Sequence, residues 1–209
     1  MFQMIFLPRL LSLLFALLGV SISSTMQNFL YFSINAFVAI WIFRDFWKET
    51  LSAFPKDLTK ILLVGVCGFF LYRLLSLAMG LLIAAIDPSF INANDQNIAQ
   101  MSQENYLLMV LGTVILAPIA EEVFHRGVMF GLLYRRSPVA GYIVSTVVFS
   151  LVHIHNYIGL LPPQTMLLCF LQYLPAGVCL AAAYHMSGSI LTPILIHSAV
   201  NAIAILSVR

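Results

Sequence analysis

The sequence predicts an all-α polytopic transmembrane helix bundle of about seven spans, with six to eight allowed by uncertain boundaries. Three observations predict it. Of the 209 residues, 61% are hydrophobic and only 9% are charged, where a soluble domain carries roughly 25%. The apolar residues fall into successive runs separated by short polar breaks. The Lys and Arg residues collect in a few of those breaks, which is a topology signal. A net charge of +2, without a basic patch carrying interleaved aromatics, argues against a nucleic-acid partner.

The first run, about Leu10 to Ser23, follows Arg9 and imitates a signal peptide. It continues almost directly into a second run, Asn28 to Phe43, without a convincing small-residue cleavage site, so a retained helix is expected. A charged loop, Arg44 to Lys60, comes next. The third run, Ile61 to Ile86, carries Arg73 near its middle. Asp87 to Asn105 is expected to be a polar loop, opened by Asp87-Pro88 as a helix stop. The fourth run, Tyr106 to Tyr134, ends at Arg135-Arg136-Ser-Pro. The fifth spans Val139 to about His155, and Asn156 to Gln164 is a turn with Gly159 and Pro162-Pro163. The sixth, Thr165 to His185, is joined by Ser187-Gly-Ser to the seventh, Ile190 to Leu206. The expected unit is one transmembrane domain over residues 1–209, with its chemistry in 106–206.

The Lys/Arg excess puts the 44–60 stretch and the Arg135-Arg136 turn on the cytoplasmic side. The breaks without Lys or Arg, 87–105 and 156–164, are then outside. Seven spans give a cytoplasmic N-terminus in a cell (inner) membrane. Cys67, Cys169 and Cys179 make neither a CxxC nor a zinc-ligand spacing and read as small buried hydrophobes.

The fourth run is the anomaly. Within Ala117-Pro-Ile-Ala-Glu-Glu-Val-Phe-His-Arg126 it places two carboxylates, a His and an Arg where hydrocarbon is expected. Ionised groups at bilayer depth cost several kcal/mol each on lenient scales, so they satisfy one another or serve a site. Glu122 and Arg126 are four apart and can pair on one helix face. Glu121 is rotated by ~100° from Glu122 and can face a cavity as a general base. The plain alternative is a buried ion pair that locks helix packing.

Two further patterns join it. Phe149-x-x-x-His153 puts an imidazole on an apolar helix; His155 sits nearer the end and reads as interfacial. His197-x-x-x-Asn201 puts two hydrogen-bond donors on one face of the last run. Counted from the expected cytoplasmic ends at 1.5 Å per residue, Glu121, His153, His197 and Asn201 lie ~20, ~21, ~12 and ~18 Å deep. Polar groups from three helices thus share one layer. Glu and His there can activate a water, and His and Asn can stabilise a tetrahedral oxyanion. This is peptidase chemistry without a Ser or Cys nucleophile.

These three motifs, in this order on successive membrane helices over Ala117 to Ala202, resemble the CPBP family of CAAX prenyl endopeptidases and bacteriocin-processing or self-immunity proteins. The resemblance implies an intramembrane glutamic endopeptidase that needs no cofactor. Glu121 would be the base and His153 would position the water. His197 and Asn201 would form the oxyanion hole, with Glu122, Arg126 and Phe149 in support. His125 falls outside the pattern. The implied partners are the lipid bilayer and a membrane-embedded, lipidated or leader-peptide substrate.

Two other readings stay open. Glu121, His153 and His197 could bind zinc as one carboxylate and two imidazoles, although no His-Glu-x-x-His helix is present. A non-catalytic membrane interaction or immunity protein would use the same motifs only to hold its fold. Arg73 is expected to snorkel or to meet Glu122.

Overall fold

The computed structural model describes the backbone of residues 2–207 and the side chains of 6–207. Among the described residues the chain forms eight helices and no strand. They are α1 (Phe2–Leu17), α2 (Ser24–Ile42), α3 (Arg44–Ile86), α4 (Ala93–Glu104), α5 (residues 106–134), α6 (Pro138–Ile154, continued by a 3₁₀ turn His155–Tyr157), α7 (Pro163–Ser187) and α8 (Leu191–Ser207). The all-α membrane bundle expected from the sequence is what forms.

By length and composition, α3, α5, α6 with its following turn, and α7 are able to cross a membrane. α1 and α8 are apolar but shorter, and α2 carries Gln27, Asn28 and Asn35. The expectation of seven spans is therefore not confirmed. α1 lies on α2, where the Gln27 amide donates to the Pro8 carbonyl (2.9 Å) and to the Ser12 hydroxyl.

Two expected loops are helical. The 44–60 stretch is the first part of α3, a helix of 43 residues. Its charges were read as a loop signal. They sit instead at helical spacing, as in the Lys48–Asp45 pair at 3.0 Å, among good helix formers. At 1.5 Å per residue α3 is ~65 Å long, about twice the hydrocarbon thickness, so its charged half projects beyond it. Likewise 87–105 contains α4. Asn92 caps it by accepting the amides of Asn94 (2.8 Å) and Asp95 (3.4 Å), satisfying donors a helix start otherwise leaves bare.

Small residues set the close crossings. A Cβ on Gly177 of α7 would stand 2.6 Å from Thr146 Cγ2 and 2.9 Å from Thr146 Cα of α6. Glycine is what lets those two backbones meet. On α3, Gly65 faces Thr192 and Gly68 faces Ile196 of α8. Both numbers rise together, so α3 and α8 run parallel. Phe149, Ala176, Leu180, Ala183 and Ile196 make the core where α6, α7 and α8 meet, with Val64, Phe69 and Tyr72 of α3 against it. Gly188, at φ 72°, ends α7 in the left-handed conformation that glycine adopts without strain, and the expected tight connector to α8 is there.

The cysteine expectation holds in part. Cys169 and Cys179 are buried, but Cys67 is exposed. It lies on a face of α3 that the bundle does not cover, where an apolar residue suits lipid.

Candidate active site

α5 is one helix from end to end, as expected, but not a regular one. Residues Val110–Leu116 and Val123–Phe130 are wound as π-helix, with Ala117 N–H bonding Gly112 O and Gly131 N–H bonding Arg126 O, five residues back. Between them Ala117–Glu122 is a tight α-turn that carries the two glutamates. Pro118 accounts for the first irregularity. It has no N–H and its ring crowds the preceding turn, which π winding relieves. In that register Pro118 would have bonded Thr113 O, five residues back. The orphaned carbonyl is taken by Asn201 Nδ2 from α8, at 2.8 Å. Asn201 therefore spends one amide hydrogen on the helix and keeps the other, and it lines the adjoining cavity.

Glu122 is fully buried. Its Oε1 accepts from Arg126 Nη1 at 2.9 Å and from His197 Nδ1 at 2.8 Å. The expected Glu122–Arg126 pair forms. The His197 arm was not legible in the sequence, because that bond joins residues 75 apart in the chain. Arg126 is equally buried: Nη2 reaches the carbonyls of Gly177 (3.2 Å) and Ala176 (3.5 Å), and the guanidinium lies 4.4 Å from the centre of the Phe149 ring. A cation over an aromatic face in a desolvated place is favourable, which gives Phe149 its supporting part.

Glu121 faces the cavity, 9% exposed. Its Oε2 stands 3.8 Å from His153 Nε2 and 3.9 Å from His197 Nε2. Both separations exceed a hydrogen bond, and Glu121 Oε2 is buried without a hydrogen-bond partner among the described residues. The His153 ring is set from behind, where Nδ1 donates to Phe149 O at 2.8 Å. Since a carbonyl only accepts, the neutral ring presents a lone pair at Nε2. Tyr173 of α7 stacks on the same ring with centroids 4.5 Å apart, and its hydroxyl accepts from Asn94 Nδ2 of α4 at 3.0 Å. That support had no sequence signal, because it comes from the stretch read as a loop.

The four expected residues are thus brought together, with Asn201 tied in through Thr113. His125, unassigned in the sequence, is fully buried and donates from Nδ1 to the Glu121 carbonyl at 2.8 Å. It holds the backbone that carries Glu121. Arg73 does not meet Glu122. It is exposed at the cavity edge, and no ion pair joins the two among the described residues. Neither do the described residues contain a group of three or more His, Cys, Asp or Glu side chains set to hold a metal ion.

The cavity has a volume of about 600 Å³ and is walled by α2, α3, α4, α6, α7 and α8, with Glu121 of α5 at its side. α4 spans its end. Asn92 and Asp95 bond Gln172 of α7 at 3.0 and 3.1 Å, and Glu104 Oε2 accepts the hydroxyl (2.6 Å) and amide (3.1 Å) of Thr25 on α2. Burial pushes the Asp95 carboxyl up, opposed by the Gln172 hydrogen bond and the nearby His153. The Thr25 hydroxyl and amide hold Glu104 below its usual range. Contact between α2 and α3 is sparse although both line the cavity.

Fold and site together define an integral membrane bundle with a buried carboxylate–imidazole centre beside a cavity. Residues 103–203 match the model of the Rce1-like family, type II CAAX prenyl endopeptidase Rce1-like, and over that stretch the chain is similar to this family. The family indicates an intramembrane protease of the CAAX type. The match covers α5 to α8 and every residue of the centre, and it leaves out α1 to α3. No curated protein and no solved structure matches the chain.

Proposed function

We propose that the protein is an intramembrane endopeptidase that hydrolyses a peptide bond of a membrane-associated substrate with a water activated by Glu121 and His153. The observation that supports this most directly is the convergence of Glu121 Oε2 on two imidazole Nε2 atoms at 3.8 and 3.9 Å. A water oxygen about 2.8 Å from each of a carboxylate oxygen and the His153 nitrogen fits across such a gap. His153 Nε2 accepts one of its hydrogens and aims it. Glu121 takes the other as the oxygen attacks the carbonyl carbon. The tetrahedral oxyanion is met by the second amide hydrogen of Asn201 and by His197. The C–N bond then breaks, and the proton on Glu121 passes to the leaving amine.

Geometry supports the part given to His197: Nδ1 is engaged by Glu122 at 2.8 Å, so Nε2, beside Glu121 Oε2, is the ring atom left for the oxyanion. No cofactor is needed in this scheme. The substrate is a lipidated or leader peptide lying in the bilayer, and the family description makes a prenylated peptide the first probe.

The test is cleavage of a quenched, S-farnesylated peptide by the reconstituted protein. Glu121→Gln is expected to lower kcat about 10²–10⁴-fold with an unchanged melting temperature. Cleavage at the wild-type rate would sink the proposal. The zinc reading would use the same three residues, but 3.8 and 3.9 Å exceed the ~3.4 Å edge of a tetrahedron with bonds of ~2.0–2.1 Å. Activity is expected to survive chelation to substoichiometric metal. Loss on chelation, restored by zinc, would favour the metalloenzyme.

A further inference from the structure

α4 has no part in the chemistry above, yet it is joined to the centre. Asn94, in its first turn, donates from Nδ2 to the Tyr173 hydroxyl of α7 at 3.0 Å. The Tyr173 ring lies against the His153 ring, with centroids 4.5 Å apart and planes at 30°. Three side chains thus connect α4, through α7, to the imidazole that aims the water. Asn94 lies outside the stretch matched by the family model, and Tyr173 belongs to none of the three motifs.

His153 needs such support. Its Nδ1 bond to Phe149 O fixes one atom of the ring and lets the rest swing about it. Two aromatic rings limit that swing. Phe149, with its centroid 4.4 Å away, is 1% exposed and carries the Arg126 guanidinium on its face. Tyr173 is only half-buried at the cavity, so the Asn94 bond at its tip matters to where its ring rests. His153 Nε2 has to share a water with Glu121 Oε2 across 3.8 Å. A displacement of ~1 Å at such a place can cost about 10²-fold in rate. Other bonds dock α4 without Asn94: Asn92 and Asp95 hold the neighbouring Gln172 at 3.0 and 3.1 Å, and Glu104 holds Thr25 of α2. Among these ties, the Asn94 side chain is the one that acts on Tyr173.

We propose that Tyr173 is a positioning residue for His153 and that Asn94 of α4 sets it through the phenol. The inference rests on the proteolytic reading and deepens it. α4 becomes a strap that steadies the water-aiming imidazole. A protein with α4 displaced keeps Glu121 and His153 but aims the water poorly.

The test uses the full chain, reconstituted, with the quenched, S-farnesylated peptide. Tyr173→Phe and Asn94→Ala are each expected to lower kcat about three- to tenfold, and Tyr173→Leu up to about 10²-fold, with KM and the melting temperature unchanged. Asn94→Ala and Tyr173→Phe combined are expected to lower kcat no further than either alone, because both remove the same bond. Multiplied effects would mean two separate routes and would overturn the proposal. It is equally overturned by an unchanged kcat, including one with a raised KM, which would make the pair a wall that the substrate touches.

A second measurement needs no cleavage. Magic-angle-spinning NMR of the histidine-labelled protein in phosphatidylcholine bilayers reads the His153 ring, identified as the signal that His153→Gln removes. One Nδ1-protonated tautomer is expected in the wild type. In Asn94→Ala and Tyr173→Phe this signal is expected to broaden or to split between tautomers. A His153 signal identical in all three proteins would show that the phenol does not steady the ring, and the proposal would be wrong. Should the signal respond as expected while the wild-type protein cleaves no peptide, the proteolytic reading fails and the positioning stands.

Discussion

At the scale of single residues, the two adjacent glutamates have different surroundings and so different work. Glu122 is closed in by Arg126 and His197 on one oxygen, while Glu121 keeps an oxygen at the cavity. The sequence separated them by rotation alone: four residues from Glu122 to Arg126 gave the pair, and the ~100° turn left Glu121 free. It could not show His197 on Glu122, because no spacing rule links side chains on two helices. Nor could it show that Asn201 replaces the donor that Pro118 lacks. Arg126 is fully buried and touches a carboxylate, two carbonyls and an aromatic face. Arg126→Met leaves Glu122 buried beside a single imidazole and is expected to cost about 3–5 kcal/mol, read as a lower melting temperature and a lower yield of folded protein. A melting temperature within a degree of wild type would show that the pair is dispensable to the fold.

At the scale of elements, α4 is what the sequence hid. Its composition is polar, so 87–105 reads as a loop, yet Asn92 followed by Asp95 is a helix-start signal of the N-cap type. In the fold α4 is tied to α7 at one end and to α2 at the other. The α2 tie depends on pH. Thr25 holds the Glu104 carboxyl below its usual range. The folded value is depressed, so the stabilisation is present above the ordinary carboxylate range and is lost as pH falls through the lowered value. Protection of the α4 amides, taken as exchange relative to the intrinsic rate at each pH, is therefore expected to fall on acidification through the carboxylate range, and Thr25→Val is expected to remove that dependence while lowering protection at neutral pH. Identical pH profiles for the two proteins would rule the tie out. The charged half of α3 was misread for a related physical reason. Charge density marks an aqueous surrounding, and a helix that leaves the membrane keeps its winding.

At the scale of the whole molecule, the legible part and the matched part coincide. Residues 103–203, where the family model matches, hold all three motifs, because ionisable side chains in apolar helices stand out against their background. The apolar stretches of α1 to α3 carry mostly ordinary lipid-facing residues, interrupted by Gln27, Asn28 and Asn35 of α2 and by Arg73 of α3. The apolar half of α3, Ile61 to Ile86, is ~39 Å long at 1.5 Å per residue, against ~30 Å of hydrocarbon in an average bilayer. Such an excess is taken up by tilt or by local thickening of the lipid. α3 forms one wall of the cavity, touches α2 sparsely and packs closely on α7 and α8, so a tilt that carries α7 and α8 with it would change how far α3 stands from α2. Membrane thickness is then expected to act on access, thin bilayers tilting α3 further than thick ones. Cleavage of the farnesylated peptide is expected to vary at least about threefold between vesicles of short- and long-chain phosphatidylcholine, with the change in KM and not in kcat. A KM indifferent to chain length would mean that α3 holds its angle whatever surrounds it. Otherwise the lipid itself acts as an adjustable part of the site, and the same chain would select substrates differently in membranes of different depth.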